Sequence, residues 1–311
     1  MRKIIVITVS FLLVLFSVGC KKTDTKMDIT VFVSILPQKY FVEKIAGDRV
    51  AVEVLVSPGK NPATYEPTPQ QVTDLGSAKA LFTIGVPFEN AFLPKIQGIL
   101  KSLKIVDTSS GIKKRMLEAH SHEGEEHHDE EGSMDSDEDD HDHGIPDPHI
   151  WLSPSLVKIQ AKNIYDALIE LDPSGKTDYL KGYESLISEL DEVISELQKS
   201  LKPFAGSTLF VFHPAFGYFA DEFGLKQVAI ETGGKEAAPA KLTEIIEHAQ
   251  KEGVKIIFVQ PEFSQESAKK IAQAIGGTVV MLNPLYPDYI NNLKSISTEI
   301  EKAYRQVKIE Q

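Results

Sequence analysis

The chain has 311 residues, of which 42% are hydrophobic and 25% are charged, and it holds a single cysteine. This is an ordinary globular composition, and the length suits two domains better than one. The net charge of -12 comes largely from residues 118–144, which hold thirteen Asp and Glu and no Lys or Arg, so the remainder of the chain is nearly neutral. A nearly neutral body offers no basic surface, so we expect no nucleic-acid partner.

Residues 1–20 are typical of a bacterial lipoprotein signal peptide. Two basic residues precede an apolar run of about 13 residues, which is shorter than an ordinary membrane span. The ending FSVGC is similar to a lipobox, in which Cys20 is lipidated and becomes the mature N-terminus. An uncleaved signal anchor with an incidental cysteine is the alternative. We predict a polar tether at 21–27 and a location outside the cytoplasm, lipid-anchored to the outer or periplasmic face of the cell membrane.

After the tether, short apolar runs alternate with amphipathic patterns in both halves of the chain. This alternation predicts parallel sheets covered by helices on both faces. Strands are predicted at 28–36, 50–56, 80–85, 104–108, 208–212, 226–231, 255–260 and 278–282. Helices are predicted at 37–47, 68–78, 87–100, 214–223, 239–252, 265–275 and 287–307.

The two halves are separated by a segment whose apolar residues recur at spacings of three and four from Leu180 to Leu197. This spacing predicts one long helix of about 25 residues. The predicted fold class is α/β, with two lobes, each a parallel sheet flanked by helices, joined by one long linker helix. The predicted boundaries are 28–171 for the N-terminal lobe, 172–203 for the linker helix and 204–311 for the C-terminal lobe.

A histidine-rich acidic segment lies late in the predicted N-terminal lobe. It contains six of the nine histidines of the chain and almost no apolar residues, so we expect a disordered surface loop at 118–144. Mixed imidazoles and carboxylates favour several loose zinc sites, an auxiliary metal-collecting loop. Its histidines are His120, His122, His127, His128, His141 and His143.

Two other histidines are candidates for a more rigid metal site. In open parallel sheets, ligands bind beyond the carboxyl ends of the strands, and His213 follows such a predicted strand directly before a proline. His149 lies between two prolines in DPHIWLSP. Imidazole nitrogens on rigid loops suit zinc. The alternative for each histidine is that it is hydrogen-bonded or half-buried and binds no metal. His248 follows a polar helix pattern and is predicted to be solvated.

These features together resemble the solute-binding lipoproteins of zinc and manganese ABC importers, specifically the zinc-type members of metal-binding solute-binding protein family 9. The resemblance implies a metal held in the cleft between two α/β lobes, a monomer, and an ABC permease with its ATPase as partners. It extends over nearly all of the mature chain, in the order lipobox, PGKNPATYEPTPQQV, the histidine-rich loop, DPHIWLSP, HPAFGYFADEFGL, FVQPEFS and LNPL.

The resemblance implies only half of the usual set of metal ligands. His149 matches the histidine of the family's DPH motif, and His213 matches the next ligand in its zinc-type form. The first ligand of the family is a histidine in P-H-x-Y-x-P, where this chain has Ala63, which cannot bind a metal. The last is the aspartate of D-P-L, where this chain has Asn283, a neutral and weaker oxygen donor.

The missing ligands have several candidate replacements. The candidates to fill the missing positions are Glu66, Glu262, Asp288, a water molecule and Asn283 itself. A histidine of the loop is another candidate, because His141 and His143 lie only six to eight residues before His149, a span of up to about 20–28 Å when extended.

The predicted function is capture of an extracytoplasmic Zn²⁺ ion, with Mn²⁺ as the alternative, and its delivery to an import permease. Imidazole ligands favour zinc over Mn²⁺, which prefers carboxylates. Two other binding functions stay open: a surface metal buffer or adhesin, and a cleft that binds a metal complex or an organic solute in space opened by Ala63. A zinc hydrolase is disfavoured, since the chain has no HExxH and no GxSxG, and no enzyme activity is predicted.

Overall fold

The computed structural model describes residues 29–117, 145–231 and 239–310. The predicted signal peptide with Cys20, the tether and the six histidines of the auxiliary loop lie outside these residues. Within the described residues, no helix is both long enough and apolar enough to cross a membrane.

The N-terminal lobe is built on a four-stranded parallel sheet in the order β2-β1-β3-β4. Its strands are rich in Val, Ile, Leu and Phe, and β3 is buried along its whole length, as expected for a sheet covered on both faces. They are β1 (Ile29–Val33), β2 (Val50–Val54), β3 (Ala80–Thr83) and β4 (Lys104–Asp107).

The C-terminal lobe repeats the same topology in a second parallel sheet, in the order β6-β5-β7-β8. The strands are β5 (Thr208–Val211), β6 (Lys226–Ala229), β7 (Ile256–Val259) and β8 (Thr278–Met281). Two such sheets flanked by helices confirm the predicted fold class. The carboxyl ends of the strands are the edges where this topology places a ligand.

Proline begins several of the helices, because its fixed φ and missing N–H suit the first turn. It occupies the first or second position of α1, α2 and α3. The helices that flank the sheets are α1 (Leu36–Ala46), α2 (Pro69–Leu75), α3 (Pro87–Gln97), α6 (Gly217–Phe223), α7 (Pro239–Lys251), α8 (Gln265–Ala274) and α9 (Tyr289–Glu310).

The predicted long helix is α5 (Lys176–Leu201), whose 26 residues rise about 39 Å. A stripe from Leu186 to Leu201 is buried against its neighbours, while the opposite face is charged. A further helix, α4 (Pro154–Leu171), was not predicted from the sequence. Its buried face follows helical spacing from Val157 to Leu168, and the side chain of Ser153 caps its first turn by accepting from the Leu156 N–H.

Candidate metal centre

His149 lies in a short turn between Pro148 and Pro154. The carboxylate of Asp147 accepts a hydrogen bond from the backbone N–H of His149 at 2.9 Å and lies 2.7 Å from its Nδ1. Asp147 is itself buried. Its position is fixed by a hydrogen bond across the cleft, which its backbone carbonyl accepts from the hydroxyl of Tyr218. An ionised carboxylate can only accept, so Nδ1 carries the proton and Nε2 presents a lone pair.

His213 stands where strand β5 gives way to the His213-Pro214 turn. The sheet ladder continues one residue past the strand, with the Phe212 N–H donating to the Phe258 carbonyl at 2.7 Å. The prediction of a helix from 214 was three residues too early: a turn closed by the Ala215 N–H and the His213 carbonyl comes first, and α6 begins only at Gly217. This turn leaves the imidazole at the sheet edge, outside the helix.

The His213 ring is oriented by three contacts. Its Nδ1 lies 2.6 Å from the carboxylate of Glu231, which is 1% exposed. Its face stacks on Phe263, with ring centroids 4.6 Å apart. Its backbone carbonyl accepts from the side-chain amide of Gln260 at 2.8 Å. As at His149, the carboxylate holds the proton on Nδ1 and leaves the Nε2 lone pair free.

The two imidazoles meet with their Nε2 atoms 3.3 Å apart. Two nitrogens that each lie 2.0–2.1 Å from one tetrahedral zinc are about 3.3–3.4 Å apart. The separation therefore matches the spacing that a shared zinc ion requires. A carboxylate behind each histidine is also the usual way in which proteins orient metal-binding imidazoles.

Asp147 and Glu231, which contact the two candidate histidines, are candidate positioning residues that the sequence analysis did not name. A signal was present for each: Asp147 opens the DPH motif, and Glu231 is the only acidic residue of the predicted strand KQVAIE, 226–231. Glu231 is brought beside His213 by the sheet, since its backbone N–H donates to the Phe212 carbonyl at 2.9 Å.

Neutralising either orienting carboxylate is expected to weaken zinc binding. Asp147→Asn and Glu231→Gln keep the shape but lose the charge, and such outer-sphere changes cost about 10–100-fold in metal affinity. Calorimetric titration with Zn²⁺ measures the loss. The exposed substitutions Asp48→Asn and Glu247→Gln are matched controls. Affinities of the buried-site variants equal to those of the controls would contradict this role.

Burial lowers the pKa of His213; the hydrogen bond with Glu231 raises it by less than burial lowers it, and the neighbouring His149 lowers it further. The imidazole therefore stays neutral, the form that binds metals, to lower pH than in the unfolded chain, where its pKa is about 6.5.

A pH dependence of stability follows from the lowered pKa of His213. The unfolded chain binds more protons, so the contribution of this residue to the free energy of unfolding is lost as pH falls through about 6.5. Urea unfolding of the metal-free protein between pH 8 and pH 5 measures this loss. We expect a smaller loss for His213→Gln than for the exposed-site control His248→Gln, and equal losses would refute the assignment.

A cavity of about 570 Å³ opens beside the histidine pair, and both lobes contribute to its wall. Ala63, which the resemblance implied stands in place of the family's first ligand, lines it, and so does Glu262, whose pKa is raised by burial. Among the described residues, no group of three His, Cys, Asp or Glu converges on one point, so the pair has no third ligand of these types there.

The remaining candidates lie in other surroundings. The Asn283 side-chain oxygen accepts the Leu285 N–H at 2.9 Å, closing a turn. Asp288 binds the backbone and side chain of Asn291 at the start of α9. Glu66 is exposed, and neither it nor Asp288 is among the residues that line the cavity.

Hydrogen bonds between the lobes hold the two sides of the cleft together. The Trp151 indole N–H donates to the Pro284 carbonyl at 2.9 Å, and the Tyr289 hydroxyl donates to the Trp151 carbonyl at 2.7 Å. Trp151 is buried and follows His149 by two residues, so these bonds fix the His149 turn relative to the C-terminal lobe.

Comparisons with known proteins find zinc-binding relatives of this chain. The family model "Zinc-uptake complex component A periplasmic" matches residues 31–303. The zinc-binding lipoprotein AdcA of Streptococcus pneumoniae R6 is 30% identical over 92% of this chain but only 56% of its own length, so the chain spans about half of that relative. The zinc uptake protein ZnuA of Yersinia pestis is 29% identical, over 86% of this chain and 89% of the relative.

A solved structure of a ZnuA deletion mutant with zinc bound is 36% identical, with a TM-score of 0.77 over 88% of this chain and 97% of that one. The similarity in fold therefore extends over both lobes. Since the family model also matches from the first strand to the last helix, the chain belongs to the family of the periplasmic zinc-uptake complex component A.

Proposed function

We propose that this protein captures Zn²⁺ outside the cytoplasm and delivers it to an ABC-type import permease driven by its ATPase. The observation that carries the proposal is the 3.3 Å separation of the His149 and His213 Nε2 atoms, each imidazole being oriented by a buried carboxylate. Two imidazole donors favour zinc over Mn²⁺. The names of the zinc-binding and zinc-uptake relatives support the same cargo.

His149 and His213 are the proposed zinc ligands. Of the three candidate carboxylates Glu66, Glu262 and Asp288, Glu262 alone lines the cavity, but among the described residues it does not converge with the two histidines on one point. Asn283 is disfavoured, since its oxygen already closes a turn.

We also propose that Cys20 carries a lipid that anchors the protein to the extracytoplasmic face of the membrane, and that the protein works as a monomer. The lipobox-like FSVGC and the description of the pneumococcal relative as a lipoprotein support the anchor. The mass of the mature N-terminal peptide tests it: an unmodified Cys20 would refute lipidation.

The histidine-rich loop is proposed to collect zinc for the cleft. The residues on either side of it, Leu117 and Ile145, line the cavity and are joined by a 2.8 Å hydrogen bond from the Leu117 N–H to the Ile145 carbonyl. The loop therefore leaves the N-terminal lobe and returns to it at the wall of the cleft, which favours transfer of an ion from one to the other.

Deletion of residues 120–143 separates the cleft from the loop. In calorimetric titration, we expect the shortened protein to keep one zinc site and to lose the additional zinc sites of lower affinity. At the site that remains, we expect Mn²⁺ to bind more weakly than Zn²⁺. Complete loss of zinc binding would overturn the cleft proposal in favour of a metal buffer based on the loop. A cleft affinity that falls with the deletion would identify a loop histidine as a cleft ligand.

A further inference from the structure

The residues that the structure describes supply the cleft with an incomplete coordination sphere. His149 and His213 provide two nitrogens, and within the described lobes no third imidazole, thiolate or carboxylate joins them. The side-chain oxygen of Asn61 accepts the Ala63 N–H at 2.8 Å, and that of Asn283, which is not among the residues that line the cavity, accepts the Leu285 N–H at 2.9 Å. A tetrahedral zinc bound to the pair therefore has two positions that the described residues leave unfilled, and donors from outside the protein can take them.

The cavity is much larger than a hydrated ion needs. Two water molecules occupy roughly 60 Å³, since each takes about 30 Å³, and the ion adds little, whereas the cavity measures about 570 Å³. A volume of this size is typical of sites for small organic molecules. Much of its wall is apolar, including Val86, Trp151, Phe263 and Leu285. Such a lining offers nothing to a bare cation, but it can pack against the carbon skeleton of a chelator.

The same wall carries a cation. Lys114 lines the cavity, and its ammonium donates a 3.3 Å hydrogen bond to the Ile84 carbonyl. Gly85 allows this approach, because a Cβ there would lie 2.3 Å from the lysine Nζ. A lysine in the wall disfavours a bare divalent cation, but it can bind a carboxylate through its remaining N–H groups.

We propose that the cleft binds zinc as a complex with one small amino-acid chelator of the histidine type. This inference rests on the proposed function and specifies its cargo. Two nitrogens of the chelator fill the open positions of the zinc held by His149 and His213. Its carboxylate pairs with Lys114, and its carbon skeleton packs against the apolar wall.

The test uses the full mature protein, stripped of metal, at one buffered concentration of free Zn²⁺. Binding is measured with no chelator, with L-histidine, and with histamine, which has the same two nitrogen donors but no carboxylate. We expect zinc to bind at least about tenfold more tightly with L-histidine than without it, which corresponds to 1.4 kcal/mol, and histamine to give a smaller gain. Isotope-labelled L-histidine should remain on the desalted protein at one molecule per zinc.

The variants assign the carboxylate contact. Lys114→Gln is expected to remove the advantage of L-histidine over histamine, while Lys113→Gln, an exposed neighbour, retains it. An undiminished advantage in Lys114→Gln would overturn the role of Lys114. Retention of L-histidine without zinc, or by His149→Ala, would overturn the chelate and indicate an amino-acid site.

Two further outcomes distinguish this inference from the proposed function. Equal zinc affinity with and without L-histidine, and no retained chelator, would overturn the chelate while leaving zinc capture intact. Failure to bind zinc in any of the three conditions would overturn both.

Discussion

Replacement of His149 by alanine is expected to lower the zinc affinity of the cleft by more than about 100-fold, beyond the upper end of what outer-sphere changes cost. One imidazole then remains, and a single protein ligand cannot define a site. Calorimetric titration of protein lacking residues 120–143 measures the loss without the contribution of the loop. The exposed His248→Ala is the matched control, with no expected change. A His149→Ala affinity within about fivefold of the control would contradict the pair as the metal centre.

The double variant sharpens this prediction, because the two histidines act as a unit. If His149 and His213 bind one ion together, each single substitution already destroys the site. The double substitution then adds little, and the losses are strongly non-additive. Losses that add in full would indicate that the two residues bind independently. Thermal unfolding of each variant shows whether the fold is retained.

The sequence predicted the parallel sheets well because apolar runs of four or five residues, such as ALFT in β3, are typical of buried strands. It extended several strands too far. The first was predicted to continue to residue 36, but β1 ends at Val33 and α1 begins at Leu36. Apolar residues at the end of a strand and at the start of the next helix form one continuous run, so hydrophobicity alone does not mark the turn between them.

Helix α4 was accessible to sequence reasoning, since its buried residues from Val157 to Leu168 follow helical spacing. The His149 and His213 candidates were accessible to sequence reasoning through their neighbouring prolines and the family motifs. Their 3.3 Å approach was not, because the residues are 64 positions apart and meet only when two lobes pack together. The turn that engages the Asn283 oxygen is likewise a matter of local geometry that residue identity does not determine.

Restoring the missing family ligand is expected to strengthen the zinc site. Ala63 lines the cavity, and its backbone is fixed by the Asn61 side chain, so an imidazole introduced there starts from an ordered position. A third protein ligand completes the set that zinc carrier and catalytic sites commonly have, and we expect Ala63→His to raise the zinc affinity at least about tenfold. Titration of the loop-deleted protein measures the gain.

Lys60→His is the control for this gain, because it adds an imidazole to the same loop at an exposed position outside the cavity wall. An affinity of Ala63→His no higher than that of Lys60→His, in a folded protein, would show that position 63 cannot reach the ion. The same variant bears on the chelate. If the new imidazole takes a coordination position that L-histidine otherwise fills, the gain from L-histidine should fall as the affinity for zinc alone rises. The natural alanine would then be the feature that makes room for a chelated cargo.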